Sequence, residues 1–320
     1  MFCSLQCNFL NLMKILVTGG AGFIGTSFVN LLYRRNQTNK TNHEIIVVDK
    51  MTYASNPERL PEGVRIVRRD ICDITYEDIG DVDYIVNFAA ESHVDNSIED
   101  GTPFIQTNIL GTYNLIEVAR RMTKLKKFVQ ISTDEVYGDL TESHYGLNHL
   151  SKEGDVCKPS SYYSASKSSA DQIVISANKT YGIPYLITRT CNNYGDHQHL
   201  EKFLPTVMEC IYQEIPVPIY GDGCQVREWI WVEDNVKMIL KLMKEEYGIW
   251  NIGSGDRYTN KSILRMIGDI LKKPVQFNNV PDRLGHDRRY GLDSSKLHRV
   301  VGDDYTTINL KEYLQTRNYV

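Results

Sequence analysis

The sequence predicts an α/β fold, a doubly wound parallel sheet joined to a smaller mixed α/β region. Three observations lead there. Short β-rich runs alternate with helical patterns through the first half of the chain. Those runs are apolar almost throughout, as strands covered on both faces are. The first of them ends in a cluster of glycines that opens a helix. A chain of 320 residues has ample material for one large domain or two modest ones.

Taken in order, KILVTG (Lys14–Gly19) starts the series and is followed by an amphipathic stretch to Arg35. EIIVVD (Glu44–Asp49), VRIVRRD (Val64–Asp70), YIVNFAA (Tyr84–Ala90), FVQIS (Phe128–Ser132) and YLITRT (Tyr185–Thr190) continue it. Strands separated by helical segments argue for parallel pairing with crossovers. After Thr190 the rhythm breaks. Pro205, Pro216 and Pro218, then the turn YGDG (Tyr220–Gly223), mark a looser region, and REWIWVED (Arg227–Asp234) reads as a further sheet-like run. The expected division is a frayed extension over 1–12, a sheet domain over 13–190 plus about 229–252, and a second domain over about 191–228 plus 253–320.

Composition narrows the function classes. The chain is 42% hydrophobic and 24% charged, with a formal net charge of −4. That mild acidity offers no basic stripe for a nucleic acid, and no apolar run reaches membrane-spanning length. The opening MFCSLQCNFLNL lacks a basic leader and a small-residue cleavage site. Seven cysteines, odd in number and scattered, suit a reduced protein better than a disulfide framework. The expectation is therefore a cytoplasmic protein with no nucleic-acid or membrane partner. No metal is expected either: there is no CxxC pair, and His197 and His199 in GDHQHLEK have no third ligand at metal-site spacing. Trp229 and Trp231, alternating on a strand, read as packing residues.

VTGGAGFIG places Gly19, Gly22 and Gly25 directly after the first strand, with Phe23 and Ile24 at the helix opening. Glycine is needed where the backbone turns tightly, where a pyrophosphate approaches it and where helix meets strand. The free N–H groups of the helix N-terminus then face the anion. Asp49, ending the second strand, can accept hydrogen bonds from adenosine ribose hydroxyls. Its charge would repel a 2′-phosphate, which favours NAD over NADP. Asp70, ending the third strand, is a candidate for the adenine edge. Lys50, Thr52, Ile71, Ala89 and Ala90, beside the same strand ends, complete this cofactor set of a Rossmann-type domain.

YYSASKSSADQIV opens another helix, and Tyr163 and Lys167, four apart, share one of its faces. A phenol is a poor base at neutral pH. A neighbouring ammonium is expected to stabilise the phenolate and lower its pKa, so that Tyr163 takes a proton from a sugar hydroxyl. Lys167 can also hold the nicotinamide ribose.

Several stretches together carry a resemblance: TGGAGFIG, FAAESHVD, STDEVYGD, YSASK, NNYG, EKFLP, REWIWVED and DRLGHDRRY. In this order the sequence resembles the nucleotide-sugar 4,6-dehydratases of the extended short-chain dehydrogenase/reductase superfamily, from Met13 to about Asp293. The group acting on dTDP-glucose is the nearest. Asn96, in HVDNS, stands where bacterial members of that group usually carry arginine, and members acting on UDP-glucose can carry asparagine there.

The resemblance implies a recycled NAD, a nucleotide-sugar substrate and a homodimer formed through helices at Asn108–Met122 and Tyr162–Thr180. It gives the acids of STDEVYGD a task. Tyr163, with Lys167 and the Thr133 hydroxyl, removes the C4 hydroxyl proton. Glu135 then takes the C5 proton, and Asp134, held protonated, serves the departing C6 oxygen. An epimerase of the same superfamily has no use for the two acids. Adjacent like charges split their pKa values, which suits an acid beside a base. The resemblance also implies substrate contacts from Ser92, Thr133, Asn192, Glu201, Lys202, Pro218, Ile219, Tyr220, Arg227, Asn260, Arg283 and His286, with Asn108 and Asn193 bordering the cofactor. Arg227 and Arg283 have the guanidinium geometry that grips diphosphate oxygens.

Overall fold

The structure, a computed structural model, describes residues 12–39, 41–141, 149–302 and 305–317. Residues 1–11 of the expected extension lie outside them. Seven parallel strands form the central sheet: β1 (Lys14–Thr18), β2 (Glu44–Asp49), β3 (Arg65–Arg68), β4 (Tyr84–Asn87), β5 (Lys127–Thr133), β6 (Tyr185–Thr190) and, later in the chain, Gly248–Ile252. Between β6 and that last strand come β7 (Asn192–Tyr194), β8 (Val217–Tyr220) and β9 (Val226–Trp231), so Gly248–Ile252 is β10. The sheet order is β10-β6-β5-β4-β1-β2-β3.

Alternation along the strands builds two cores. Ile15 and Val17 of β1 pack into one layer with Phe28, Val236 and Ile239, from helices Phe23–Asn39 and Val232–Glu245. Leu16, one residue out of phase, packs into the other layer with Leu115, Ile116 and Val174, from helices Thr112–Ala119 and Tyr162–Tyr181. Full burial of each such aliphatic side chain stabilises by about 1.5–3 kcal/mol. A third core holds Leu204, Val207, Trp229, Ile263 and Leu310. It lies beside the sheet formed by β7, β9 and β11 (Arg257–Thr259) and the parallel pair β8 with β12 (Phe277–Val280).

Three local outcomes differ from the sequence reading. β10, GIWNI, is a strand the alternation did not single out. REWIWVED is not one run: the strand stops at Trp231, and Val232 begins a helix. Glu233 and Asp234 suit the positive end of that helix, and Val236, Ile239, Leu240 and Met243 line its buried face at helical spacing. Ahead of Thr112–Ala119 the backbone forms a π-helix over Ile105–Gly111. Gly111 permits it, since a Cβ there would lie 2.5 Å from the Ile71 side chain.

Helix Tyr162–Tyr181 starts at a reciprocal cap. Ser164 N–H donates to Ser161 Oγ and Ser161 N–H donates to Ser164 Oγ, each at 3.1 Å. That fixes the helical phase on which Tyr163 and Lys167 share a face.

The turn after β5, Asp134–Tyr137, ends at Gly138, whose φ is +78°. A Cβ on Gly138 would meet the Lys158 carbonyl oxygen at 2.0 Å. Gly80 has a similar φ of +68° but open space around it. Gly138→Ala is expected to destabilise by about 3 kcal/mol, from left-handed strain and overpacking together, and Gly80→Ala by only about 1 kcal/mol. Urea unfolding of both variants checks the difference.

Candidate active site

The carboxyl ends of the parallel strands open into a cavity of about 750 Å³. Its floor at one end is the glycine turn. Gly19 has φ +65°, and a Cβ there would sit 2.6 Å from the Ala89 amide nitrogen; a Cβ on Gly25 would meet the Gly19 carbonyl oxygen at 2.2 Å. Backbone therefore packs on backbone, and the opening N–H groups of helix Phe23–Asn39 stay at the cavity surface beside Gly22, Phe23 and Ile24. Asp49 holds this turn. Its Oδ2 accepts the Ala21 N–H at 3.0 Å, while its Oδ1 accepts the Met51 N–H and the Ser55 hydroxyl, both at 2.8 Å. A carboxylate has about four acceptor sites, so one remains for a ribose hydroxyl.

Lys50, Thr52, Asp70, Ile71, Ala89, Ala90 and Asn193 also line the cavity. Lys50 Nζ donates to Glu91 Oε1 at 2.8 Å and to Thr107 Oγ1 at 3.2 Å, and lies 3.8 Å from Asp70. Asn193 donates to the Cys191 carbonyl at 3.0 Å and accepts from Asn235 at 2.7 Å. Asn108 does not line the cavity. It is buried behind the wall, accepting the Glu91 N–H at 2.9 Å and donating to Ser166 Oγ at 2.8 Å. Its contact is with the wall residue Glu91.

At the other end β5 delivers Thr133, Asp134 and Glu135, and helix Tyr162–Tyr181 delivers Tyr163 and Lys167; all five line the cavity. Thr133 caps the turn, accepting the Glu135 N–H at 3.3 Å and donating to Asp134 Oδ1 at 3.3 Å. Asp134 is buried, and its Oδ2 has no partner. Burial pushes its carboxyl well above the ordinary range, and the charges of Glu135 and Glu228 push the same way. Glu135, half-buried, is also raised by burial, but Arg283, Arg227 and Lys202 pull against it. Both carboxyls are thus raised, with anions foremost among the charges acting on Asp134 and cations among those acting on Glu135.

The tyrosine–lysine expectation needs correction. Burial raises the Tyr163 phenol, with Glu135 and Asp134 adding to it, and the Thr133 hydroxyl is the group that works against the rise. Lys167 supplies no such pull. Its Nζ donates to the Ile131 carbonyl at 2.5 Å, and burial lowers its own pKa to about 8.

The expected substrate residues divide into three groups. Ser92, Asn192, Glu201 and Lys202 line the cavity with Thr133. Lys202 donates to the Ser92 carbonyl at 3.0 Å, and Glu201 accepts the Tyr53 hydroxyl at 3.0 Å. A second group gathers near Asp95, which accepts the Tyr220 hydroxyl at 3.0 Å and the Arg283 guanidinium at 3.5 Å. His286 stands edge-on to Tyr220 with ring centroids 6.2 Å apart, and burial lowers its pKa to about 4. Arg227, stacked 4.3 Å over Tyr290 and bonded to the Asp287 carbonyl, acts on Glu135 through its charge. Neither this group nor the third, Pro218, Ile219 and Asn260, lines the cavity. On β8 the faces alternate: the Ile219 side chain turns into the third core while Pro218 and Tyr220 face outward, so a contact from Ile219 would come from its backbone.

Sequence reasoning missed Tyr53, Arg59, Glu91, Thr107, Gln198 and Phe203, which also form the wall. Glu91 could have been found, since it follows Ala90 past the end of β4; Thr107 could not, because the π-helix sets its direction. Trp229 lies in the third core, as packing would have it, and also borders the cavity. Among the described residues no cluster of three or more His, Cys, Asp or Glu side chains could hold a metal ion.

Residues 15–253 match the NAD dependent epimerase/dehydratase family. The dTDP-glucose 4,6-dehydratase of Haemophilus influenzae is 41% identical over 322 residues, covering 91% of this chain and 93% of that protein. The low-salt glycan biosynthesis protein Agl12 of Haloferax volcanii is 41% identical over 297 residues, covering 89% of this chain and 91% of its own. Among solved structures, DesIV, a dTDP-glucose 4,6-dehydratase from Streptomyces venezuelae with NAD and TYD bound, superposes with a TM-score of 0.88 at 36% identity, covering 95% of each chain. A UDP-glucose 4-epimerase from Thermus thermophilus in complex with NAD gives 0.85 at 26% identity, covering 95% of this chain and 97% of that one. With its glycine turn, strand-end acids and tyrosine–lysine helix in place, the chain belongs to the NAD-dependent epimerase/dehydratase family.

Proposed function

We infer that the chain converts dTDP-glucose to dTDP-4-keto-6-deoxyglucose, as a lyase that uses NAD and regenerates it in each turnover. The observation that carries this reading is the Asp134–Glu135 pair on the cavity wall, one carboxyl bare and buried, the other facing three cations. A 4-epimerase needs the phenol, the lysine and a hydroxyl; elimination of water needs an acid and a base besides. Relatives about 40% identical over nine-tenths of the chain carry the dehydratase name.

The residues present fit a dinucleotide. The glycine turn leaves backbone N–H groups at the cavity surface where a Cβ would close the approach, and Asp49 keeps an acceptor for a ribose hydroxyl. NAD, when bound, accepts a hydride from the sugar and returns it. Everything else falls to side chains. Tyr163 takes the C4 hydroxyl proton, with the Thr133 hydroxyl working against the rise in its pKa, while Lys167, on the same helical face, is placed to hold the nicotinamide ribose. Glu135 removes the C5 proton, which the C4 ketone has made acidic, and returns a proton to C5 once hydride has been delivered to C6. Asp134 donates a proton to the leaving C6 oxygen, and its unpartnered Oδ2 is suited to hold that proton. Ser92, Asn192, Glu201 and Lys202 hold the sugar side, and Arg227, Tyr220, Arg283 and His286 the diphosphate and base.

The same reading divides the labour along the chain. Residues 13–190 plus about 229–252 bind the dinucleotide, and about 191–228 plus 253–320 grip the nucleotide sugar; the location of β10 in the seven-stranded sheet supports that partition. It also makes the enzyme a cytoplasmic homodimer. Leu110 and Tyr113 are both 53% exposed and Tyr162 is 61% exposed, on the two packed segments that would face a second copy. No helix among the described residues is long and apolar enough to cross a membrane.

Four outcomes test this function. Purified protein is expected to turn over dTDP-glucose faster than UDP-glucose, read as 4-keto-6-deoxyhexose; galactose-configured product would point to an epimerase instead. Glu135→Gln should slow elimination by about 10²–10⁴-fold while leaving dinucleotide reduction in a single turnover, whereas Tyr163→Phe should block that reduction as well. In a pH profile, Glu135 must be ionised, so activity is full above its pKa and falls as pH drops through it. Because burial raises that pKa, the acid limb should lie above the ordinary glutamate range. A Leu110→Asp, Tyr113→Asp double variant should elute as a monomer in light-scattering chromatography, where the parent chain runs as a dimer.

A further inference from the structure

Three donors that the functional reading assigns to the nucleotide sugar converge on one short stretch after β4. Lys202 Nζ, just ahead of helix Phe203–Tyr212, donates to the Ser92 carbonyl at 3.0 Å and reaches the Ser92 hydroxyl at 3.5 Å. Tyr220, ending β8, donates its hydroxyl to Asp95 Oδ2 at 3.0 Å. Arg283 Nη1 lies 3.5 Å from Asp95 Oδ1. Asp95 belongs to helix Val94–Glu99, so its two contacts join segments 125 and 188 residues away in the chain.

The Arg283 contact is loose. A charge-assisted N–H···O bond spans about 2.7–2.9 Å, and this one is 3.5 Å. A guanidinium carries several donors in a planar fork that matches two oxygens at once. Here Nη1 meets Asp95 at that long distance, and Nε is buried without a partner among the described residues. A buried donor left unpaired is costly, so Arg283 is short of acceptors. The two side chains keep 30% and 20% of their surface exposed, and an ion pair so placed is weak and easily exchanged.

We propose that Asp95 is a placeholder for the substrate's diphosphate: its carboxylate holds Arg283 and Tyr220 until a nucleotide diphosphate takes them over. This rests on the reading that those two side chains grip the nucleotide sugar. The exchange is of one anion for another. A diphosphate presents more oxygens and more charge than a carboxylate, and it can satisfy the Nη and Nε donors of the fork together. Once it is seated, Asp95 is a like charge beside the same guanidinium, and repulsion drives the carboxylate off. A small anion bound by Arg283 must displace Asp95 as well, without contacts to a base or sugar to offset the cost. Asp95 thereby determines specificity while making no bond to the bound substrate. The rival role, steadying Arg283 beneath the diphosphate, predicts the opposite sign when the carboxylate is removed.

Binding of dTDP to the purified, NAD-loaded full chain, followed by titration calorimetry, reads that sign. Asp95→Asn keeps the shape and an acceptor for Tyr220 but removes the charge, and dTDP should then bind about 3–10-fold more tightly. Inorganic pyrophosphate should gain by a similar factor; a gain confined to dTDP overturns the proposal, because Asp95 would then act on the base or sugar. Arg283→Gln should weaken binding, and in that background Asp95→Asn should gain no more than about 2-fold, since the group it releases is gone. Binding unchanged or weakened by Asp95→Asn, or a gain kept in full without Arg283, also overturns it. Tighter binding in a chain that dehydrates no nucleotide sugar upholds the placeholder and refutes the functional reading, and normal dehydration with no gain does the reverse. A parent chain that binds neither dTDP nor UDP overturns both.

Discussion

Two carboxyl groups on consecutive residues repel each other, and the cleft is arranged around that repulsion. Unit charges about 4 Å apart cost about 4 kcal/mol at an effective dielectric near 20. Burial raises both carboxyls, and the surrounding charges then act on them differently. Asp134 points into the interior with a bare oxygen, near Glu228. Glu135 faces Arg283, Arg227 and Lys202. The division depends on where β5 stops. Thr133 caps the turn, Gly138 closes it against Lys158, and the β5–β6 register brings Ser132 opposite Arg189.

The wall of the cavity is held from behind by contacts with little chemistry of their own. The π-helix over Ile105–Gly111 carries Thr107 to Lys50 and Asn108 to the Glu91 backbone. An extra residue in a helical turn rotates everything beyond it, and such turns recur at functional sites. Asp49 shows the same economy: a residue expected to meet a ribose spends most of its acceptor capacity tying the glycine turn to the loop after β2.

Much of this was legible in the chain. Five of the six parallel strands announced themselves through apolar runs buried in the sheet, the edge strand β3, RIVR, through its place in the series, and the glycine turn because three glycines at that spacing follow a strand. Five candidate residues, Thr133, Asp134, Glu135, Tyr163 and Lys167, were singled out by motif, and all five line one cavity. What stayed hidden was set by tertiary context. Gly248–Ile252 is short and reads as a strand only once β6 lies beside it. The burial of the Ile219 side chain was hidden because strand phase cannot be told from the composition of β8. The Lys167–Ile131 bond was missed because a motif gives residue types and not the carbonyl that burial leaves nearest. Asp171 and Arg189 are eighteen residues apart and meet only through the sheet.

The placement of β10 carries a consequence for how the molecule is made. β6 receives its outer neighbour only from residues 248–252, and all of β7, β8 and β9 is strung between the two. A ribosome therefore releases residues 191–247 before the central sheet can be finished. Until then the outer edge of β6 is bare, with unpaired amides and carbonyls open to mispairing with other chains. Thr133 to Lys167, on the cavity wall, have all emerged by that stage, so completion of the scaffold behind them waits on a strand that does not reach the cavity.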